Sequence, residues 1–168
     1  MRFSLVDRIE QLDPGASITT VKCLTMAEEY LGDHFPGFPV MPGVLMLEAM
    51  TQTAAWLVRA TEDFAHSMVL LKEARGVKYG QFVEPGQTLR VTAELVSQKE
   101  REVTVKAKGT IDGQVTVQGR LILERYNLAE TCPGQSATDI LLKRDLRTSL
   151  ARLCRGANGT VRNPPKPA

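Results

Sequence analysis

From Gly43 to Ala60 the chain runs apolar without a helix breaker, and Val44, Leu45, Met46, Leu47, Ala49, Met50 and Trp56 to Val58 cover every angle of a helical wheel. This pattern predicts a helix of roughly 18 residues buried on all sides. Pro42 falls at its first position, where the missing N–H has no intrahelical role, and Thr61-Glu62-Asp63 closes it. Farther on, the period changes from helical to alternating. Leu89, Val91, Ala93 and Leu95 alternate with Arg90, Thr92 and Glu94, and the same period recurs at Val103, Val105 and Ala107. Both stretches predict half-buried strands. Asp112-Gly113 marks a hairpin turn before Val115 to Leu123, and Lys99 to Glu102 reads as a solvated turn.

Phe3 to Gln11 reads as a strand or short helix ended by Asp13-Pro14-Gly15, and Ile18 to Leu24 reads as a strand. After the helix, His66 to Glu73 and Gly76 to Val83 read as two strands, followed by a Glu84-Pro85-Gly86 turn. The order predicts an α+β domain with one long helix against an antiparallel meander.

Composition supports this picture without altering it. In 168 residues, 43% are hydrophobic and 24% charged, the balance of an ordinary globular chain. Met1 to Glu10 carries charges and no apolar core, and the long helix is interrupted by Glu48, Thr51 and Gln52. The expectation is a cytoplasmic protein with neither a secretory signal nor a membrane span. Cys23, Cys132 and Cys154 are odd in number, far apart and without a neighbouring histidine, which fits neither a zinc site nor a disulfide framework.

Candidate chemistry concentrates at His34 to Gln52, HFPGFPVMPGVLMLEAMTQ. Pro36, Pro39 and Pro42 each restrict the residue before them, so the segment is expected to be a stiff, extended loop. One of only two histidines lies in it, and it feeds the helix bearing Glu48 and Gln52. Glu48 and Gln52 share a helical stripe with Arg59 nearly in line, and a buried Glu48 could be paired with that arginine. The other histidine, His66, is read as structural because no acidic partner singles it out. The first-turn amides of the helix, Gly43's among them, lack intrahelical acceptors at the positive end of its dipole. His34 as base, Glu48 as acid and the Gly43 N–H as oxyanion donor are the parts of an acid–base site acting on a carbonyl compound.

These 19 contiguous positions resemble the signature of the 3-hydroxyacyl-acyl carrier protein dehydratases of type II fatty-acid synthesis. Phe3 to Gly15, Lys22 to Glu28, Val83 to Leu89 and the strands to Tyr126 are similar as well, so the resemblance covers about three quarters of the chain. It implies a hotdog fold, with a central helix wrapped by an antiparallel sheet, and a homodimer, alone or as a trimer of dimers, whose active sites are shared between chains. His34 would then abstract the α-proton of a (3R)-3-hydroxyacyl thioester while Glu48 of the partner chain protonates the leaving hydroxyl. Gly43 N–H would hold the thioester oxygen, the Val40 carbonyl would orient the imidazole, and Gln52 would support Glu48. No metal or cofactor is implied, because the substrate rides on the phosphopantetheine of acyl carrier protein. Lys72, Arg75 and Lys78 are candidates for docking that acidic partner.

The resemblance has departures. Asp33 precedes the histidine where glycine is usual, Phe82 replaces a common proline, and Phe38 stands where a polar residue is frequent. If Asp33 met His34 it would raise the histidine's pKa. The alternatives are a hotdog thioesterase, which the proline loop and its spacing to Glu48 do not suit, and a non-catalytic paralogue that binds acyl carrier protein. Isomerising relatives typically carry Asp at the position of Glu48.

The domain is expected to span 1–126. Residues 127–168 differ in charge, with seven Lys and Arg against three acids, giving +4 within a chain of +2 overall. Leu142, Leu146, Leu150 and Leu153 recur at helical spacing after Thr138 and Asp139 as N-cap candidates, predicting a basic amphipathic helix over 139–154 within an appendage spanning 127–155. Gly, Asn and Pro dominate 156–168, which is expected to be disordered. The charge is modest and no reader motif appears, so nucleic-acid binding is not expected.

Overall fold

The computed structural model describes residues 3–155. The expected disorder of 156–168 therefore lies outside the described residues. Six strands form one antiparallel sheet: β1 (Arg8–Asp13), β2 (Ser17–Cys23), β3 (Met68–Tyr79), β4 (Thr88–Lys99), β5 (Glu102–Ile111) and β6 (Gln114–Tyr126), in the spatial order β1-β2-β4-β5-β6-β3. The 19-residue helix α1 (Gly43–Thr61) packs against β2 to β6, which wrap it as a hotdog fold. Strands β5 and β6 bury alternate residues such as Val103, Val105, Leu121 and Leu123 against the helix and expose Lys106, Lys108 and Arg120 on the far face. Asp112 and Gly113 join them with φ of 48° and 82°, the left-handed pair that a two-residue hairpin needs.

Two buried hydroxyls also tie helix to sheet. Thr20 Oγ1 on β2 lies 2.7 Å from Thr53 Oγ1 on α1, and the Thr53 hydroxyl donates to the Ala49 carbonyl at 2.8 Å.

Three features depart from the expected elements. The segments expected as separate strands on either side of residue 75 form the single strand β3, whose register with β6 shifts between Arg75 and Lys78. Gly76, at φ 58°, takes up that irregularity without ending the pairing. The N-terminal strand begins only at Arg8. Pro42 is the N-cap of α1 and lies outside the helix proper.

The helix is also not buried all round. Val44 is 69% exposed, and Leu45, Glu48, Gln52, Trp56 and Arg59 form a half-covered stripe along one face. Glu48 and Gln52, the polar side chains of the helix on which the functional reading rests, both lie on that stripe.

The appendage folds as a short helix α2 (Leu128–Thr131) and a long helix α3 (Ser136–Leu153). Gln135 is the N-cap of α3, which displaces Thr138 and Asp139 from that role. Asp139 is instead buried and turned toward α2. It accepts hydrogen bonds from the Leu128 amide at 2.8 Å, the Ala129 amide at 3.0 Å and the Ser67 hydroxyl. Burial works to raise its pKa, but these donors outweigh it and hold the carboxyl below its usual range. The stability it contributes is present above about pH 4 and fades as pH falls through the lower folded value. Asp139→Ala is expected to speed amide exchange at Leu128 and Ala129 and protease cleavage around residue 133, with the sheet unaffected. Unchanged exchange at those two amides would show that Asp139 does not anchor the appendage.

Candidate active site

The His34 loop closes on itself and is not extended as expected. The Phe35 and Phe38 amides each donate to the other's carbonyl, at 3.1 and 2.9 Å, making a tight turn with Gly37 at φ 81°. Val40 returns beside His34, and its amide donates to the His34 carbonyl at 3.0 Å. The Met41 amide then anchors the loop to the Val83 carbonyl at 2.8 Å.

Within this turn His34 Nδ1 lies 3.0 Å from the Val40 carbonyl oxygen. A carbonyl only accepts, so Nδ1 bears the hydrogen, and in the neutral ring the lone pair is left on Nε2. The ring stacks on Phe35 at a centroid separation of 4.0 Å. Asp33 is exposed and makes no ion pair with His34.

Glu48 is half-buried, one turn before Gln52 on α1. The Gln52 side-chain amide is oriented by its surroundings: its Oε1 accepts from the Leu5 amide at 2.8 Å, while Nε2 donates to Glu48 Oε1 at 3.0 Å and to the Phe3 carbonyl at 3.3 Å. Gln52 thus joins the N-terminal segment to the carboxylate. Arg59 does not pair with Glu48. Its guanidinium carbon lies 5.5 Å from the Trp56 ring centroid, its Nε has no hydrogen-bond partner, and burial pushes its pKa down to about 10.

At the start of α1 the Gly43 amide donates to no acceptor among the described residues. A Cβ built on Gly43 would come within 3.2 Å of the Tyr79 ring, so glycine lets Tyr79 lie across the first turn. No hydrogen bond joins His34 to Glu48 within the chain.

Several pairings were not visible in the sequence. Phe38 and Phe82 meet edge to face at a centroid distance of 5.6 Å. His66, expected to lack an acidic partner, lies 2.9 Å from Glu62 Oε2, whose other oxygen pairs with Arg125. On the outer sheet face Lys72 is paired with Glu102 and Arg75 with Glu73, which leaves Lys78 as the unpaired member of the three docking candidates. Lys106 sits opposite Arg120 and Arg120 opposite Arg75, and together with Lys78 and Lys108 they line a cavity of about 650 Å³. These cations are spread over β3, β5 and β6, so strand register brings the three sets together.

Among the described residues no cluster of His, Cys, Asp or Glu is placed to hold a metal ion, and no helix is long and apolar enough to cross a membrane.

Comparison with known proteins agrees with this layout. Residues 1–125 match the family model described as the FabA-like domain. The chain is 37% identical over 116 residues to the 3-hydroxyacyl-[acyl-carrier-protein] dehydratase FabZ of Levilactobacillus brevis, covering 69% of this chain and 78% of the relative. It is 36% identical over 133 residues to the FabZ of Janthinobacterium sp., covering 77% and 85%. Among solved structures, the dehydratase heterocomplex ApeI:P of Xenorhabdus doucetiae superposes with a TM-score of 0.62 at 20% identity, covering 76% of this chain and 86% of that one. The acetyl-CoA-bound smu.793 of Streptococcus mutans superposes at 0.57 and 13% identity, covering 74% and 91%. These structural likenesses bear on the fold alone, whereas the family match and the identity to the two dehydratases settle membership: this chain belongs to the FabA-like domain family.

Proposed function

We propose that this chain is a hydro-lyase that converts (3R)-3-hydroxyacyl-[acyl-carrier-protein] to the trans-2-enoyl thioester and water in fatty-acid or related lipid synthesis. The observation that carries the reading is the fixed imidazole: the Val40 carbonyl holds His34 Nδ1–H and leaves Nε2 as a base. The relatives named as dehydratases point to the same reaction.

In the forward direction His34 Nε2 takes the proton from C2, breaking the C–H bond while the C2=C3 double bond forms. The C3–O bond breaks, and Glu48, protonated at the start, delivers its proton to the departing hydroxyl, which leaves as water. Charge developing on the thioester oxygen is met by the Gly43 N–H at the positive end of α1. Return of the proton from His34 to Glu48 resets the site. These steps use side chains and one backbone amide, with no cofactor beyond the carrier's phosphopantetheine.

Two features support pairing His34 of one chain with Glu48 of the partner subunit in a homodimer, alone or within a trimer of dimers. No bond joins the two residues within one chain. In addition, β3 is a 12-residue edge strand whose far end, Tyr79, lies against Gly43 at the site, and such an edge is a template for pairing with a second chain. The basic outer face around Lys78, Lys106, Lys108 and Arg120 suits an acidic carrier protein, and a cytoplasmic setting suits such a partner.

The test is turnover of a carrier-linked (3R)-3-hydroxyacyl chain followed by mass spectrometry of the intact carrier. Loss of one water with the thioester retained supports the dehydratase. Release of free carrier thiol would identify a thioesterase instead, and tight carrier binding without turnover a non-catalytic paralogue.

A further inference from the structure

The family match ends at residue 125, yet α3 lies back against the domain. Leu150, Leu153 and Cys154 pack against the core, and Arg147 donates to the Asp63 carbonyl at 2.7 Å while lying over the Phe64 ring. Between α3 and the body is a cavity of about 370 Å³ lined by Phe3, Ser4, Trp56, Ser149, Arg152 and Leu153. This volume falls within the range of small-molecule sites, roughly 300–1,000 Å³.

The cavity is linked to the catalytic arrangement in two ways. Trp56 lies one turn beyond Gln52 and two beyond Glu48 on the half-covered stripe of α1, which puts it about 12 Å along the axis from the carboxylate. Phe3, whose carbonyl accepts from the Gln52 amide that holds Glu48, is a wall of the same cavity. The lining suits a hydrocarbon end. Trp56, Phe3 and Leu153 present apolar surface, and Arg152 can lay its methylene stem along it with the guanidinium in water.

Resting on the dehydratase reading above, we propose that α3 builds the distal wall of the acyl-binding channel and that the far end of a long acyl chain seats against Trp56 between Phe3 and Leu153. Short chains end before reaching it. The appendage is then a determinant of chain-length specificity, Leu153 and Ser149 acting through the shape of the cavity and not on the reacting atoms.

Two measurements test this. Ser149→Phe, which fills the cavity from α3, is expected to lower the ratio of kcat/KM for a twelve-carbon substrate to that for a four-carbon substrate by about tenfold or more, equivalent to losing the burial of roughly two methylene groups. A ratio that stays within about twofold of wild type would overturn the proposal. The second readout uses the chain's single tryptophan, Trp56. In His34→Ala protein, a twelve-carbon 3-hydroxyacyl pantetheine thioester is expected to shift its emission saturably and a four-carbon one to leave it unmoved. Equal responses to the two, or none to either, would overturn the proposal. Failure of the wild type to dehydrate either chain length would instead count against the dehydratase reading.

Discussion

His34→Ala is expected to lower kcat/KM for dehydration by about a thousandfold, ~4 kcal/mol of barrier, the scale associated with removing a positioned general base. The effect should fall mainly on kcat, because the imidazole acts on a proton that moves in the transition state and contributes little to holding the acyl chain. The fold should survive. His34 is only half-buried, the loop remains closed by the Val40 amide on the residue 34 carbonyl and by Met41 on Val83, and the lost Nδ1–H bond is a single neutral one worth about 1 kcal/mol. Kinetics and a thermal unfolding curve on the same preparation check both halves. A variant with near-normal kcat would remove His34 from the chemistry.

The second large effect concerns which chains make a site. His34→Ala and Glu48→Ala proteins should each be inactive, and an equal mixture allowed to exchange subunits should recover about a quarter of wild-type activity. Random pairing makes half the dimers hybrid, and in each hybrid one of the two sites joins an intact His34 from one chain to an intact Glu48 from the other. If both residues came from the same chain, every site would lack one of them and the mixture would stay inactive. Exchange is verified with differently tagged chains, so an inactive mixture containing hybrids would refute the shared site.

Local patterns foretold much of this molecule. The alternation in β4 and β5, the Asp112-Gly113 turn and the breaker-free run of α1 are short-range signals, and they give the elements to within a few residues. His34 and Glu48 stood out because a rare residue sits in a proline-bounded loop and a carboxylate interrupts an apolar helix. What stayed hidden depends on partners distant in sequence. Gly76 reads as a break, yet β6 supplies hydrogen bonds on both sides of it and keeps β3 in one piece. Asp139 has the residue type of an N-cap, but Leu128, Ala129 and Ser67 recruit it into the anchor of the appendage. The half-covered stripe of α1 looks fully buried in sequence because periodicity reports hydrophobicity and not which neighbours the fold provides.

Gln52 shows the same division. Its spacing from Glu48 was visible, but the Leu5 amide that orients its side chain lies 47 residues away.

The most direct test of the central claim is the reverse reaction: hydration of a short trans-2-enoyl thioester, followed by loss of its conjugated absorbance, with wild type beside His34→Ala and Glu48→Gln. Loss of absorbance by the wild type alone, with no free thiol released, is the result expected. A folded wild-type protein that leaves the absorbance unchanged, or variants that hydrate as fast as wild type, would contradict an acid–base dehydratase built on His34 and Glu48.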